Sequence, residues 1–295
     1  MDFLAWLKQM GCPKTKLTLA EFSNTGRGMM ATKSIKVNQD LLKRPIEYEE
    51  YEWAWLVVNT RCIYLDAKKQ DTADNIALAP MLDFLNHTHD AKTEGFFCTK
   101  TKSYKIKTLL PYKKGEQVFI NYGPHDNCFI LVEYGFVTPD NPYNYALLDN
   151  DFLQLDIPGE NPTAKKDKVD LLTASGYFAD YALHRNDVSF RLMVAMRLRL
   201  INPFLTSSVA TQLEIAKWHN VIGGELDQIS PENERKVPEY IEILCDRLLL
   251  KAKQSLSALA RKPTSFPVMH LQQIWTETRD IALSVIDKIH RKEQL

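Results

Sequence analysis

Two short stretches of this chain end in side chains able to do chemistry. The mostly apolar run Ala79-Pro80-Met81-Leu82-Asp83-Phe84-Leu85 closes on Asn86 and His87, and Val118-Phe119-Ile120-Asn121 delivers Tyr122 to Gly123. Polar groups at the end of a buried apolar run cost free energy unless hydrogen-bonded, so each pair is either a satisfied core feature or a site. Arg61, at the end of a helical pattern, adds a cation that a helix C-terminus alone would also favour. Gly26 and Gly28 add a turn where a ligand could approach backbone closely, although most such pairs are plain hairpin turns. They are no dinucleotide fingerprint, because the third glycine and the following helix are missing.

Other chemistries find little support. His87 and His89 are spaced to ligate together on a strand, but no second His or Cys cluster completes a set, so no metal is expected. No serine sits on a nucleophile elbow, no cysteine neighbours a base, and there is no phosphate loop. Lysine plus arginine equals aspartate plus glutamate at 37 each, which gives no global field toward nucleic acid or an anionic membrane. The five cysteines are an odd number without close pairing, and the opening residues do not read as a secretory signal. Reduced thiols in cytoplasm and nucleus are therefore expected. No apolar run approaches the ~20 residues of a membrane span.

The elements that must position these groups divide the 295 residues into two parts. Residues 1–10 carry Phe3, Leu4, Trp6, Leu7 and Met10 at helical spacing, and Gly11 and Pro13 end that pattern. Strand-like pieces flank the glycine pair, and 33–42 continues in that manner up to Pro45. A helix is expected over 47–59, with apolar residues on more than one face and hence burial on several sides. Residues 94–121 alternate as strands, with a turn at Lys113-Lys114-Gly115-Glu116. Asp126 is a plausible cap for a short helix over 128–134 that Gly135 stops. Pro158, Gly159 and Pro162 mark a linker. Beyond it, helices are expected near 165–175, 187–201, 207–222, 231–261 and 268–292, punctuated by Pro203, Gly223-Gly224, Pro238 and Pro263. Arg197, Arg199, Lys251, Lys253, Arg261 and Lys262 read as solvated faces. The fold class is α+β, with a β-rich domain over 1–155 and a helical domain over 160–295.

Taken together, Gly26-Arg27-Gly28, Trp53-Ala54-Trp55, Asn59-Thr60-Arg61, Leu82-Asp83-Phe84-Leu85-Asn86-His87, Gly115 to Asn127 and Glu133-Tyr134-Gly135-Phe136 resemble the SET-domain methyltransferases. The resemblance is to the group around the Rubisco large-subunit lysine methyltransferase. It implies a pseudoknotted β-rich SET domain, in which the Asn-His and Tyr-Gly segments pass through one another, followed by a helical substrate-binding domain. It implies S-adenosylmethionine as cofactor, approached by backbone at Gly28, Met29 and Met30. Arg61 would pair with its carboxylate, and Asp83, Asn86 and His87 would hold it. Tyr122 would be the catalytic residue in the lysine channel, with Tyr134 and Phe136 as further walls. A protein substrate, histone tail or other, a monomeric state and no direct nucleic-acid contact are expected.

Such chemistry suits these residues. A lysine of pKa ~10.4 is only about a thousandth neutral near pH 7.4, so presenting the free amine costs about 4 kcal/mol. An apolar aromatic channel beside a cationic sulfonium lowers that cost, and a tyrosine hydroxyl orients the nitrogen. The chain departs from the group after Leu42, where relatives carry further strands and a long insert, and Met30 stands where they carry arginine. A SET-derived adaptor that binds a partner through the helical domain without turnover therefore stays open beside the enzyme.

Overall fold

A computed structural model describes residues 17–22, 26–31, 47–64, 76–101, 103–293 and 295. The helix expected over 1–10 and the segment 33–42 fall outside these. Contacts divide the chain into two compact units, Met1–Pro124 and His125–Leu295, and each is described by itself.

In the first unit β1 (Leu17–Phe22) and β2 (Gly26–Ala31) pair antiparallel, with Gly28 opposite Ala20 and Gly26 opposite Phe22. The two glycines thus belong to β2 and not to a turn, which corrects the sequence reading. Helix α1 (Tyr48–Arg61) carries Glu49 and Glu50 in its first turn and Arg61 in its last, the charge order that complements the helix dipole. The expected burial of α1 is overturned. None of its residues is buried, and Trp53 is 64% and Trp55 41% exposed. Apolar residues on several faces can mark a helix without a fixed covering as well as one covered all round.

Next come β3 (Cys62–Tyr64), antiparallel to β4 (Ile76–Leu78), and the single turn α2 (Pro80–Asp83). The run before Asn86 is not a buried one, since Met81 is 84% and Phe84 77% exposed. Strand β5 (Asn86–His87) precedes a hairpin of β6 (Thr93–Cys98) with β7 (Ser103–Thr108), in which Phe96 faces Lys105 and Gly95 faces Ile106 across the ladder. The Lys113–Glu116 turn closes as expected. The Lys113 N–H donates to the Glu116 carboxylate at 2.8 Å, and Gly115 supplies φ 95°. Strand β8 (Phe119–Ile120) returns to run parallel to β5.

The second unit opens with α3 (Asn127–Tyr134), capped by Asp126, whose carboxylate accepts from the N–H groups of Cys128 and Phe129 and which ends at left-handed Gly135. Strand β9 (Tyr145–Leu147) and helix α4 (Asp149–Leu153) follow, then α5 (Pro162–Ala174), β10 (Ala182–His184) and β11 (Asp187–Val188). The three strands form one antiparallel sheet in the order β11-β10-β9. Four helices complete the unit: α6 (Phe190–Arg199), α7 (Val209–Ile222), α8 (Pro231–Leu259) and α9 (Phe266–His290). Pro238 does not punctuate but lies inside α8. The missing N–H costs one helical bond, and the buried stripe Val237, Ile241, Leu244 and Leu248 carries the helix through. Segment 125–157 packs here, for Leu148, Phe152, Leu155 and Ile157 belong to the same core as Trp218, Leu244 and Val285. Trp218 is fully buried and donates its indole N–H to the Val194 carbonyl at 2.9 Å.

Of the residues read as solvated, Arg197 and Arg199 are buried, whereas Lys251, Lys253, Arg261 and Lys262 are exposed. Arg199 and Lys168 have no exposed side-chain surface, and both bind Glu160, whose side chain is 3% exposed. Arg199 also donates to the carbonyls of Phe152 and Leu155, and Lys168 to that of Arg199. Burial holds the Lys168 ammonium below its ordinary pKa, with Glu160 acting in the opposite direction. Arg197, 9% exposed, makes a two-pronged contact with Glu234 at 2.7 Å on each arm, and Lys251 binds Asp151 at 2.7 Å. A helical period gives the face a residue occupies, but it does not reveal a distant carboxylate that makes a buried cation tolerable.

Candidate functional site

The two stretches that open the sequence reading meet. Asn86 lies opposite Phe119 and His87 opposite Ile120 in the β5–β8 pair, and the Thr88 N–H donates to the Ile120 carbonyl at 3.0 Å. A parallel pair cannot be joined by a tight turn, and the β6–β7 hairpin occupies the connection between the two strands.

Beyond β8, side chains continue the contact. The Tyr122 backbone N–H donates to His87 Nδ1 at 3.1 Å, and the Tyr122 hydroxyl donates to the Leu85 carbonyl at 2.9 Å. The two rings lie 5.1 Å apart between centroids. An accepting Nδ1 requires that this nitrogen carry no proton, so His87 serves here as a neutral imidazole. Asn121 braces the same corner, donating to the His89 carbonyl at 3.1 Å and accepting from the Gly123 N–H at 2.8 Å. Gly123 has φ 131°, a conformation that side chains disfavour.

Burial separates the Asn-His pair. His87 is 6% exposed and satisfied, the core role that sequence left open for it. Asn86 is exposed, so the reading of Asn86 as a satisfied core polar fails. Arg61 reaches the same unit's chemistry because β3 and β4 pair. The strand after Arg61 lies beside the strand before α2, and this brings Arg61 Nη1 to 3.1 Å from Asp83 Oδ1 and 3.3 Å from the Asp83 carbonyl. The Arg61 side chain stays 50% exposed, so it keeps surface for a second anion.

Gly28, Met29 and Met30 lie on β2, opposite Ala20, Leu19 and Thr18. Tyr134 and Phe136 belong to the second unit, where their ring centroids are 6.2 Å apart. Among the described residues no group of three or more His, Cys, Asp or Glu is placed to hold a metal, and no helix is long and apolar enough to cross a membrane.

Sequence reasoning missed the Leu85 carbonyl as the acceptor for Tyr122, since a backbone atom leaves no trace in residue type. It also missed a part-buried polar cluster of Asn127, Asn141, Asn144 and Glu277. Three asparagines within eighteen residues, 127 to 144, were the available signal.

Residues 26–123 match the family model of the SET domain. The chain is similar to SET domain-containing protein 4 of Mus musculus, 32% identical over 72% of this chain and 47% of that protein. It is also similar to ribosomal lysine N-methyltransferase set11 of Schizosaccharomyces pombe, 28% identical over 79% of this chain and 58% of that one. A third relative is the actin-histidine N-methyltransferase of Danio rerio, 28% identical over 86% and 42%. The chain spans about half the length of the curated relatives it matches. Among solved structures, the SET domain of LSMT bound to lysine and AdoHcy aligns with a TM-score of 0.49 at 17% identity, over 86% of this chain and 58% of that one.

Proposed function

We propose that this SET-domain chain is an S-adenosylmethionine-dependent protein-lysine N-methyltransferase, acting on a lysine side chain of a histone or non-histone protein. The observation that carries the reading is the Tyr122 corner, where one residue is held by a buried imidazole through its N–H and by a backbone carbonyl through its hydroxyl. A hydroxyl that donates to Leu85 offers its oxygen as an acceptor. A neutral lysine amine is a donor with one lone pair, so an N–H directed to the Tyr122 oxygen turns that lone pair away from the hydroxyl. This is orientation of a nucleophile and not removal of a proton.

S-adenosylmethionine supplies a methyl group on a cationic sulfur, which leaves as a neutral thioether when nitrogen takes the methyl. The residues of this chain suit its amino-acid end. Exposed Asn86 offers an amide donor and acceptor, and half-exposed Arg61 offers a guanidinium to a carboxylate. The Asp83 carboxylate, paired with Arg61, would attract the α-ammonium of that end and not its carboxylate. The resemblance to the SET methyltransferases supports giving the β2 backbone at Gly28 to Met30 to the cofactor and Tyr134 and Phe136 of the second unit to the lysine substrate. The name of the fission-yeast relative supports a ribosomal protein as the first substrate to try. The free cysteines among the described residues, Cys62, Cys98, Cys128 and Cys245, suit action in cytoplasm and nucleus.

Calorimetric titration of the whole chain with S-adenosylmethionine, followed by transfer of a labelled methyl group to lysine-bearing peptides, tests the reading. Stoichiometric binding and methyl-lysine in the product are expected. Folded protein that binds no S-adenosylmethionine would leave the adaptor reading in place, and a methylated histidine would move the acceptor to an imidazole.

A further inference from the structure

Residues 127–138 close on themselves through one side chain. Asn127, 2% exposed, accepts from the Thr138 N–H at 2.9 Å and donates to the Thr138 carbonyl at 2.8 Å. Both ends of the α3 segment thus meet at a single amide, and Tyr134, Gly135 and Phe136 lie inside the closed stretch. The second Asn127 N–H donates to Glu277 Oε2 on α9 at 2.7 Å. That oxygen also accepts from the Asn144 side chain, while Asn144 Oδ1 accepts from the Asn127 backbone N–H at 2.7 Å. Gln273 donates to the other carboxylate oxygen at 3.2 Å.

A carboxylate in such a place has a directional effect. An ionised Glu accepts only, so it holds the amino end of the Asn127 amide toward α9 with the carbonyl end toward the Thr138 N–H. The Thr138 N–H and carbonyl demand the same orientation, so the carboxylate and the backbone reinforce one another. Hydrogen bonds to a charged group are also roughly twice as strong as neutral ones, which suits a clamp that must fix a loop. Glu277 lines a cavity of about 300 Å³ with Asp140, Asn144 and Arg185, so the clamp has room for a substituted side chain.

We propose that Glu277 is a positioning residue: through Asn127 and Asn144 it fixes the 127–138 loop, and with it Tyr134 and Phe136, the aromatic pair assigned to the substrate. The proposal rests on the methyltransferase reading and deepens it, locating control of substrate affinity in a helix residue that touches neither substrate nor cofactor.

The test uses the whole chain as wild type, Glu277→Gln, Glu277→Ala and Gln273→Ala. Wild type is first titrated with S-adenosylmethionine and assayed on a panel of lysine peptides. Failure there overturns the methyltransferase reading, and the positioning role with it, before any variant is considered. With an active wild type, Glu277→Ala is expected to raise KM for the best peptide tenfold or more, with S-adenosylmethionine affinity unchanged within twofold and kcat lowered far less than KM is raised. Glu277→Gln is expected to fall between, and Gln273→Ala to stay near wild type. Hydrogen exchange should quicken at least tenfold within 127–138 in Glu277→Ala while α8 keeps its protection. Should α8 also lose protection, Glu277→Gln decides, since it preserves volume. Quickened exchange with unchanged KM would reduce Glu277 to a structural group, and unchanged exchange would remove the clamp altogether. Either result overturns the proposal.

Discussion

Replacing Tyr122 by phenylalanine removes one oxygen and leaves every other contact of that residue in place. The backbone N–H still donates to His87 Nδ1, and the ring still lies beside the imidazole. The lost group is the donor to the Leu85 carbonyl at 2.9 Å. One intramolecular hydrogen bond in a part-buried setting is worth about 1 kcal/mol net, so the variant should fold. The effect on turnover is larger, because the hydroxyl would act where the amine must be aimed. Preorganised hydrogen-bonding groups at a reacting centre are worth about 2.7–4 kcal/mol, which corresponds to a 10²–10³-fold loss in kcat. Affinity for S-adenosylmethionine should change by less than about threefold, under 1 kcal/mol, since no contact assigned to the cofactor runs through the hydroxyl. Calorimetry gives the affinity, and transfer of a labelled methyl group gives the rate. A fully active variant would remove the hydroxyl from the mechanism. An affinity loss as large as the rate loss would show that the hydroxyl maintains the site and does not orient the nucleophile.

Asn86→Ala alters an exposed side chain on a strand whose pairing is made by backbone, so stability should stay within about 0.5 kcal/mol while cofactor affinity drops by about 1–2 kcal/mol. Equal affinity by calorimetry would exclude Asn86 from the site. Glu160→Gln leaves Lys168 and Arg199 buried without their anion and should cost about 3–5 kcal/mol, read as urea unfolding of the second unit. A cost below about 1 kcal/mol would mean that the backbone carbonyls alone satisfy the cations. Burial pushes the Cys245 thiol from its ordinary value of 9.0 up to about 12. An acid whose pKa is raised in the folded state keeps its full contribution below the unfolded value. That contribution is lost as pH climbs from about 9 toward 12, with a slope of at most ~1.4 kcal/mol per pH unit. Cys245→Ala should flatten part of this alkaline slope, and an unchanged slope would assign it to other groups such as Tyr181, also pushed up to about 12.

The longer helices of the second unit were legible because each has an apolar stripe at helical period and a proline, glycine or serine at its ends, whereas the five-residue α4 went unread. The expected 231–261 and 268–292 became Pro231–Leu259 and Phe266–His290. Strands of two and three residues, β9 to β11 among them, are too short to show a period, and their sheet went unread. Of the site, the Asn86-His87 and Tyr122 positions were marked by residue type. Their juxtaposition followed only from the resemblance and not from residue type, because a parallel pair with a hairpin in its connection is a long-range contact. Arg61 shows the same limit. Its helix-end position was readable, whereas Asp83 as its partner depends on the β3–β4 pairing. The buried Glu160 cluster was misread as solvated basic faces because a lone charge pattern on α6 does not reveal that α5 and the preceding loop supply a lysine and a glutamate.

Three of the tryptophans lie in contrasting surroundings. Trp53 and Trp55, on α1, stand substantially in solvent, whereas Trp218 is sealed in the core with its indole N–H donated to a carbonyl. An aqueous quencher therefore reaches the first pair and spares the last. When the second unit opens, Trp218 passes from an apolar surround into water, while the α1 pair, already wet, changes little. Trp275, half-buried on α9, would mix into both signals, so with Trp6 and Trp275 replaced by phenylalanine emission colour follows the core around α6 and α8 and quenching follows α1.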